Sequence, residues 1–196
     1  MNAVRARASD VDAAAELLGL AFADYPWTRW CVDADDHVGR ITTLQRLSLE
    51  VLGLPFGLVW LAEEADELAA VAVWSDSRVS VDRSRFIELA DQSRPLHGNR
   101  LQAAIEAETG GFDRPARPHL FLETMGTHPH RQRCGFGAAV LQPGLELANE
   151  SALICALETS TEGNVAFYRS VGFEVVDHRI VAPGGPDVWT MWRAGA

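Results

Sequence analysis

Apolar positions recur with two different periods along this chain. Amphipathic helices are indicated where apolar residues lie three and four positions apart, as they do over residues 11–23, 33–52, 82–108, 137–149 and 164–170. The pattern over residues 82–108 is interrupted near Pro95 and Gly98. Strands are indicated where apolar residues alternate or run together, as they do over residues 4–8, 57–63, 68–75, 119–127, 152–160, 173–181 and 188–193. This order of strands and helices predicts a mixed α/β layer fold.

The segments between these elements carry residues typical of turns. Residues 110–118 are rich in Gly, Pro and Arg, which predicts a surface loop. Residues 183–186 read Pro-Gly-Gly-Pro between the last two predicted strands, which favours a hairpin. Pro26 is expected to close the first helical region, because proline cannot continue a helix.

The length and charge of the chain limit the class of protein. Its 196 residues suit a single domain over residues 1–196. The 17 basic residues against 27 acidic ones give a net charge of −10. Because nucleic-acid phosphates require a basic surface, this balance argues against nucleic acid as a partner. An acidic surface would attract a cationic small molecule, although it would also serve solubility alone.

The sequence does not predict a membrane segment, a disulfide or a metal site. No apolar run approaches the roughly 20 residues of a transmembrane helix, and the N-terminus lacks the apolar core of a signal peptide. We therefore expect a cytoplasmic protein with no membrane partner. Three scattered cysteines do not predict a disulfide framework. His128 and His130 have a metal-ligand spacing but no third ligand, so no metal site is predicted.

A glycine-containing loop follows the strand of residues 119–127. Its sequence, Gln132-Arg133-Cys134-Gly135-Phe136-Gly137-Ala138, leads directly into a predicted helix. Backbone N–H groups at a helix start, backed by the positive end of the helix dipole, favour a bound phosphate or pyrophosphate. The third glycine of a dinucleotide fingerprint and the Gly-Lys-Ser/Thr of a P-loop are both missing. The loop alone therefore indicates an anion and no particular cofactor.

Two spaced motifs carry a resemblance to a known family. Pro129 is followed by Gln132-x-x-Gly135-x-Gly137, and further on the chain reads Asn164-x-x-x-Tyr168-x-x-x-Gly172-Phe173. Together these resemble the signature of the GNAT acetyltransferases. The resemblance implies the GNAT fold, a central, mixed but mostly antiparallel sheet of six to seven strands flanked by helices. It also implies acetyl-CoA as the co-substrate, and an N-acetyltransferase as the function.

The resemblance assigns roles to particular residues. Tyr168 would be the general acid that protonates the CoA thiolate, which suits a phenol with a pKa near 10. The residues expected to bind acetyl-CoA are Met125, Gly126, Thr127, Gln132, Arg133, Cys134, Gly135, Phe136, Gly137, Ala138 and Asn164. The family often has Gly and then a basic residue where this chain has Arg133 and Cys134, so the basic charge has moved by one position.

Glu123 is the candidate general base. Strict alternation would place Phe121, Glu123, Met125 and Thr127 on one face of the strand. A glutamate in so apolar a strand is costly unless it is paired or functional. Two roles remain open: a base that receives the proton of the amine, and a structural or solvated carboxylate.

The resemblance is more extensive to one group of the family, the puromycin N-acetyltransferases. It includes the strings Ala21-Phe22-Ala23-Asp24-Tyr25-Pro26, Ala70-Val71-Ala72-Val73-Trp74 and Leu157-Glu158-Thr159-Ser160. It implies a small primary amine as acceptor, with Tyr25 and Trp27 in the substrate pocket. Leu120 and Glu123 depart from the residues of that group, which indicates a reshaped pocket.

Three alternatives stay open at the level of function and assembly. The acceptor could be a puromycin-like antibiotic or an amino-acid-like metabolite. The same chemistry would also suit a protein or N-terminal acetyltransferase, and loss of turnover would leave a non-catalytic acyl-CoA-binding module. The last hairpin could serve a homodimer interface or close the monomer.

Overall fold

The computed structural model describes residues 2–65, 67–109 and 114–195. Its strands are β1 (Ala3–Arg5), β2 (Leu58–Glu64), β3 (Glu67–Asp76), β4 (His119–Thr127), β5 (Ile154–Thr159), β6 (Glu174–Ile180) and β7 (Asp187–Arg193). Its helices are α1 (Val11–Ala21), α2 (Pro26–Cys31), α3 (His37–Ser48), α4 (Leu54–Phe56), α5 (Arg83–Ser93), α6 (Leu101–Thr109), α7 (Phe136–Glu150) and α8 (Glu162–Ser170). A π-helical turn at Leu49–Gly53 joins α3 to α4, and a 3₁₀ segment at Arg94–Arg100 joins α5 to α6.

The seven strands form one sheet in the order β1-β2-β3-β4-β5-β7-β6. Neighbouring strands are antiparallel in every pair except β4 and β5, which run parallel. The predicted mixed α/β fold with a mostly antiparallel sheet of six to seven strands is therefore confirmed. The predicted hairpin around residues 183–186 is the connection between β6 and β7.

Strands β4 and β5 pair over only part of their lengths. Their register runs from His119 opposite Ile154 to Leu122 opposite Leu157. Beyond this point β4 continues to Thr127, still paired with β3. The edge of β4 from residue 123 onward therefore faces a notch instead of a neighbouring strand.

A β-bulge at Glu123 breaks the alternation of β4. Thr124 pairs with Val73 and Leu122 pairs with Trp74, so Glu123 is an extra residue without a partner on β3. Because of this extra residue, each later side chain of the strand lies on the opposite face of the sheet from the one that strict alternation would give. The prediction of a single face for residues 121, 123, 125 and 127 is therefore wrong.

The consequence of the bulge is visible in the packing of the later residues. Met125 packs with the core on the α7 side of the sheet. A Cβ at Gly126 would lie 2.8 Å from Leu18 Cδ2 and 3.0 Å from Ala21 Cβ, both on α1. Gly126 therefore faces α1, and the lack of a side chain there lets the helix cross the strand closely.

Helices cover both faces of the sheet with apolar side chains. On one face α7 and α8 pack Leu141, Val140 and Tyr168 against buried residues of β3, β4 and β5. On the other face α1 packs Leu17 and Leu18 against β2 and β3. Because both faces are covered, the central strands contain long apolar runs, as the sequence pattern predicts.

The helical regions differ from the sequence pattern in two places. Pro26 follows the end of α1 but also begins α2, since proline fits the first turn of a helix, where its missing N–H is not needed. The pattern over residues 33–52 is α-helical only from His37 to Ser48, and then widens into the π-helical turn. Residues 110–113 of the predicted loop lie outside the described residues. In the described ranges no helix is both long and apolar enough to cross a membrane.

Candidate active site

Two adjoining cavities open into the notch between β4 and β5. The aromatic cavity, of about 650 Å³, takes its name from Phe22, Trp27 and Phe121 in its wall. The glycine-loop cavity, of about 550 Å³, is lined by residues of the loop before α7. The two cavities share the lining residues Phe22, Tyr25, Met125, Asn164 and Tyr168. A molecule in one cavity would therefore meet a molecule in the other at these shared side chains.

The glycine loop presents bare backbone to its cavity. Gly135 caps α7 with a φ of 90°, a left-handed conformation that favours glycine. The Ala139 N–H donates to the Gly135 carbonyl at 3.0 Å, so the three preceding N–H groups have no acceptor within the helix. A Cβ at Gly137 would lie 3.4 Å from Thr127 Oγ1. A side chain there would partly fill the space between the start of α7 and Thr127. The absence of one leaves room for an anion against the helix N-terminus.

Most of the residues predicted to bind the cofactor line the glycine-loop cavity. They are Met125, Gly126, Thr127, Gln132, Arg133, Gly135, Gly137, Ala138 and Asn164. The Phe136 side chain instead packs into the core and is 2% exposed. Cys134 is exposed outside the cavity wall, with its Sγ 3.5 Å from the Gln132 carbonyl. Thr161, Gly163 and Phe167 also line the cavity, although the sequence analysis did not select them.

Tyr168 lies where the two cavities meet. Its side chain is 5% exposed and its ring makes edge contacts with Phe167 and Phe173, at centroid distances of 5.2 and 5.7 Å. Burial, with a smaller contribution from the nearby Tyr25, raises the pKa of the Tyr168 phenol above its ordinary value. The phenol therefore keeps its proton at neutral pH and is available as a donor.

A hydrogen-bond network joins the turn after α1 to the end of β5. The Tyr25 hydroxyl accepts the N–H of Ser160 at 2.6 Å and shares a hydrogen bond with Thr159 Oγ1 at 3.1 Å. Asn164 Nδ2 donates to the same Thr159 oxygen at 3.0 Å. The network fixes Tyr25 and Asn164, two predicted site residues, in the shared wall of the cavities. Trp27 lines the aromatic cavity and makes an edge contact with Trp30.

Glu123 lines the aromatic cavity but is held by partners on both oxygens. Arg114 donates to Oε1 and Oε2 at 3.2 Å each, and the Ser75 hydroxyl donates to Oε1 at 2.5 Å. The side chain is 37% exposed. These contacts favour the structural role over that of a base, because both oxygens of the carboxylate already have partners.

Glu158, on β5, is a second carboxylate in the aromatic cavity that the sequence analysis did not select. Its Oε1 is buried without a hydrogen-bond partner among the described residues. Desolvation raises its pKa to about 8, against the opposing effect of the Arg114 and Arg179 charges and with a further contribution from Glu123. A carboxyl group with this pKa can both take up and release a proton near neutral pH.

The sequence did contain a signal for Glu158. Its strand reads Ile154-Cys155-Ala156-Leu157-Glu158. The reasoning applied to Glu123, that a charge in an apolar strand is costly unless paired or functional, applies here equally. The two carboxylates differ in their hydrogen-bond partners. Those partners come from other elements of the fold, so the local sequence could not distinguish Glu158 from Glu123.

The two histidines with a metal-like spacing lie before the glycine loop. His128 Nδ1 is 3.3 Å from the His130 N–H, within the turn itself. Among the described residues, no three His, Cys, Asp or Glu side chains are grouped to hold a metal ion.

Solved structures share this fold over nearly the whole chain. One, described as "histone acetyltransferase HPA2 and related acetyltransferase" from Corynebacterium glutamicum, is 22% identical with a TM-score of 0.74, and the match covers 100% of this chain and 96% of that one. The ribosomal-protein-S18-alanine N-acetyltransferase from Escherichia coli is 16% identical with a TM-score of 0.59, covering 98% and 92%. Arylalkylamine N-acetyltransferase 2 from Aedes aegypti is 12% identical with a TM-score of 0.62, covering 98% of each chain.

At these identities the structural likeness establishes the fold alone. The sequence itself matches the family model of the Acetyltransferase (GNAT) family over residues 21–173, which include the glycine loop, Glu158 and Tyr168. The chain therefore belongs to the GNAT family of acetyltransferases.

Proposed function

We propose that this protein transfers the acetyl group of acetyl-CoA to the primary amine of a small molecule. The observation that carries the proposal is the meeting of the two cavities at Tyr25, Asn164 and Tyr168, with Glu158, whose Oε1 has no partner among the described residues, in the aromatic cavity. Direct transfer requires that donor and acceptor be held side by side in this way. The glycine-loop cavity would hold the donor and the aromatic cavity the amine.

Acetyl-CoA, which GNAT proteins normally use, would supply the reactive acetyl thioester. The free N–H groups at the start of α7 and the guanidinium of Arg133 would hold its pyrophosphate. The unpaired edge of β4 beyond Leu122 offers peptide groups to the extended arm of the cofactor. An N–H on this edge would also stabilise charge on the carbonyl oxygen during transfer.

Glu158 would receive the proton that the amine must lose. A primary amine is mostly an ammonium ion at neutral pH, and the ammonium cannot attack a carbonyl carbon. The pKa of about 8 brings the proton affinity of Glu158 close to that of an amine, so the proton can pass between them without a large free-energy difference.

Tyr168 would donate the proton that the departing thiolate sulfur takes up. Its raised pKa keeps the phenol protonated until that sulfur carries negative charge. The surrounding contacts with Phe167 and Phe173 hold the ring in place.

The walls of the aromatic cavity support a small amine with an aromatic or apolar body. Phe22, Tyr25, Trp27 and Phe121 provide the ring surfaces. The Glu158 carboxyl group provides a hydrogen-bond acceptor for the amine. The resemblance to the puromycin N-acetyltransferases makes an aminonucleoside antibiotic such as puromycin the first acceptor to test.

The test is thiol release from acetyl-CoA in the presence of a panel of primary amines that includes puromycin. We expect turnover with at least one aromatic amine, and a decrease of about 100-fold or more in kcat for Tyr168→Phe, because general-acid catalysis is lost. Binding of acetyl-CoA should be nearly unchanged in this variant. Thiol release that no amine accelerates, with acetyl-CoA bound, would leave a non-catalytic binding protein.

A further inference from the structure

A third cavity adjoins the aromatic cavity. It has a volume of about 480 Å³ and lies between the π-helical turn, the end of β3 and α5. We call it the apolar chamber after the apolar side chains in its wall, which include Leu52, Phe56, Val73, Val79, Val81 and Leu89; Asp76 and three serines also line it. The chamber and the aromatic cavity share the lining residues Phe86, Arg114 and Glu123.

The Glu123–Arg114 ion pair lies at the boundary of the two spaces, since both side chains line each of them. The Arg114 guanidinium also stacks over the Phe121 ring, with its central carbon 4.0 Å from the ring centroid. The Arg114 and Glu123 side chains are 49% and 37% exposed. An ion pair this exposed contributes little to stability, so its side chains can move aside for a ligand at small cost.

Phe86 lies at the junction of three spaces and is unusually exposed for its type. It lines the aromatic cavity, the apolar chamber and a groove between α3 and α5. Its side chain is 51% exposed. Ile87, the next residue on α5, is also 51% exposed but belongs to none of these three walls. An apolar group of a ligand that lay against Phe86 would cover surface that the fold leaves in water.

We infer that the acceptor amine is elongated, with its ammonium end in the aromatic cavity and a second, apolar group in the chamber against Phe86. This inference rests on the proposed acetyl transfer. The Glu158 carboxyl group, whose Oε1 has no partner among the described residues, can accept a hydrogen bond from the amine at one end of the combined space. The apolar side chains of the chamber accept an uncharged group at the other end. A volume of about 480 Å³ is within the range of cavities that hold small ligands.

The test compares a short amine with a longer one that has the same reacting group. The short probe is 2-phenylethylamine and the long one is 2-(4-butoxyphenyl)ethylamine. Each buried CH₂ strengthens binding by about fourfold, so we expect kcat/KM to be about tenfold or more higher for the long amine. Isothermal titration of both amines into the CoA-bound protein measures the same preference without turnover.

Three variants locate the origin of this preference. Leu52→Trp fills the chamber, and Phe86→Ala removes the ring at the junction. Both should abolish most of the preference for the long amine, mainly through KM. Because Leu52 lines the chamber and not the aromatic cavity, Leu52→Trp should also change kcat/KM for the short amine by less than about threefold. Ile87→Ala is the matched control and should behave like the unsubstituted protein.

The outcomes separate this inference from the proposed function. Equal kcat/KM and equal affinity for the two amines would overturn the inference and leave the acetyl transfer intact, as would equal effects of Phe86→Ala and Ile87→Ala. Failure to acetylate either amine, or puromycin, would instead count against the proposed function. Bound CoA should stabilise all three variants against heat, which shows that each one is folded.

Discussion

Glu123 and Glu158 are the same side chain on neighbouring strands, and their surroundings give them different chemistry. Glu123 accepts hydrogen bonds from Arg114 and Ser75, all of which stabilise its charge. Glu158 has a buried oxygen without a partner, and desolvation raises its pKa to about 8. A proton acceptor must exchange protons near the working pH, which a pKa of about 8 allows for Glu158.

The pH dependence of activity distinguishes the two carboxylates. Below pH 8 Glu158 is mostly protonated and cannot receive a proton, so activity should rise with pH until about 8 and then level off. Glu158→Gln should remove this rise from the pH profile of kcat/KM and lower activity above pH 8 by about 100-fold or more. The measurement is kcat/KM for one amine across the pH range, because the titration of the amine itself is then common to all variants.

Glu123→Gln is the matched control for this profile. Because the Glu123 charge raises the pKa of Glu158, its removal should shift the rise of kcat/KM to lower pH. The rise itself should persist. If the rise of kcat/KM with pH vanished in Glu123→Gln and persisted in Glu158→Gln, the base would be Glu123.

At the scale of elements, α7 is fixed both by its start and by its contact with the sheet. Gly135 and Gly137 begin the helix at the cavity. Gly144, two turns later, lies against the buried indole of Trp74 on β3. A Cβ at Gly144 would come within 2.4 Å of that ring, so only glycine allows this approach. The packing that stabilises α7 thus also sets the position of its N-terminus.

Gly144→Ala should therefore lower the free energy of unfolding. We expect a loss of about 1–3 kcal/mol, because the fully buried Trp74 has no space to move away. Urea denaturation measures the change. Gly163→Ala on α8 is the control, since its Cβ would meet none of the described atoms within 4 Å and alanine favours the helix. Equal stability of the two variants would show that α7 can shift away from β3.

At the scale of the whole molecule, the separation of β4 from β5 creates the site. The two strands pair only as far as Leu122 and Leu157, and both cavities open where they part. The walls of the notch come from the turn after α1, the two strands, the glycine loop and α8. A ligand in the notch would contact all of these elements at once and should stabilise the native state as a unit.

Acetyl-CoA should accordingly raise the thermal midpoint Tm. At a concentration about 100-fold above Kd the stabilisation is about 2.7 kcal/mol, which corresponds to an increase of about 5–10 °C for a chain of this length. Gly137→Val should lose most of the increase in Tm, because the valine side chain would occupy the space beside Thr127 at the start of α7. Differential scanning fluorimetry measures both. An undiminished increase in Gly137→Val would place the cofactor elsewhere.

The sequence by itself determined the features that depend on neighbouring residues along the chain. The periods of the apolar positions predicted each strand of the sheet within a few residues, and β4 at His119–Thr127 without error. The loop with Gly135 and Gly137 and the helix with Asn164 and Tyr168 could be located because their spacing is local. The same local reasoning could not show that Pro26 would start a helix as well as follow one.

The tertiary structure alone decided which side chains meet. Ser75 and Glu123 are 48 residues apart, and Tyr25 and Thr159 are 134 apart, yet each pair is hydrogen-bonded. The bulge at Glu123 moved Met125 to the α7 face, and tertiary contacts gave Glu123 two partners while they left Glu158 Oε1 without one among the described residues. The physical reason is that burial and pairing set the pKa of a carboxylate, and both depend on strand register and helix packing, which a pattern of residue types does not contain.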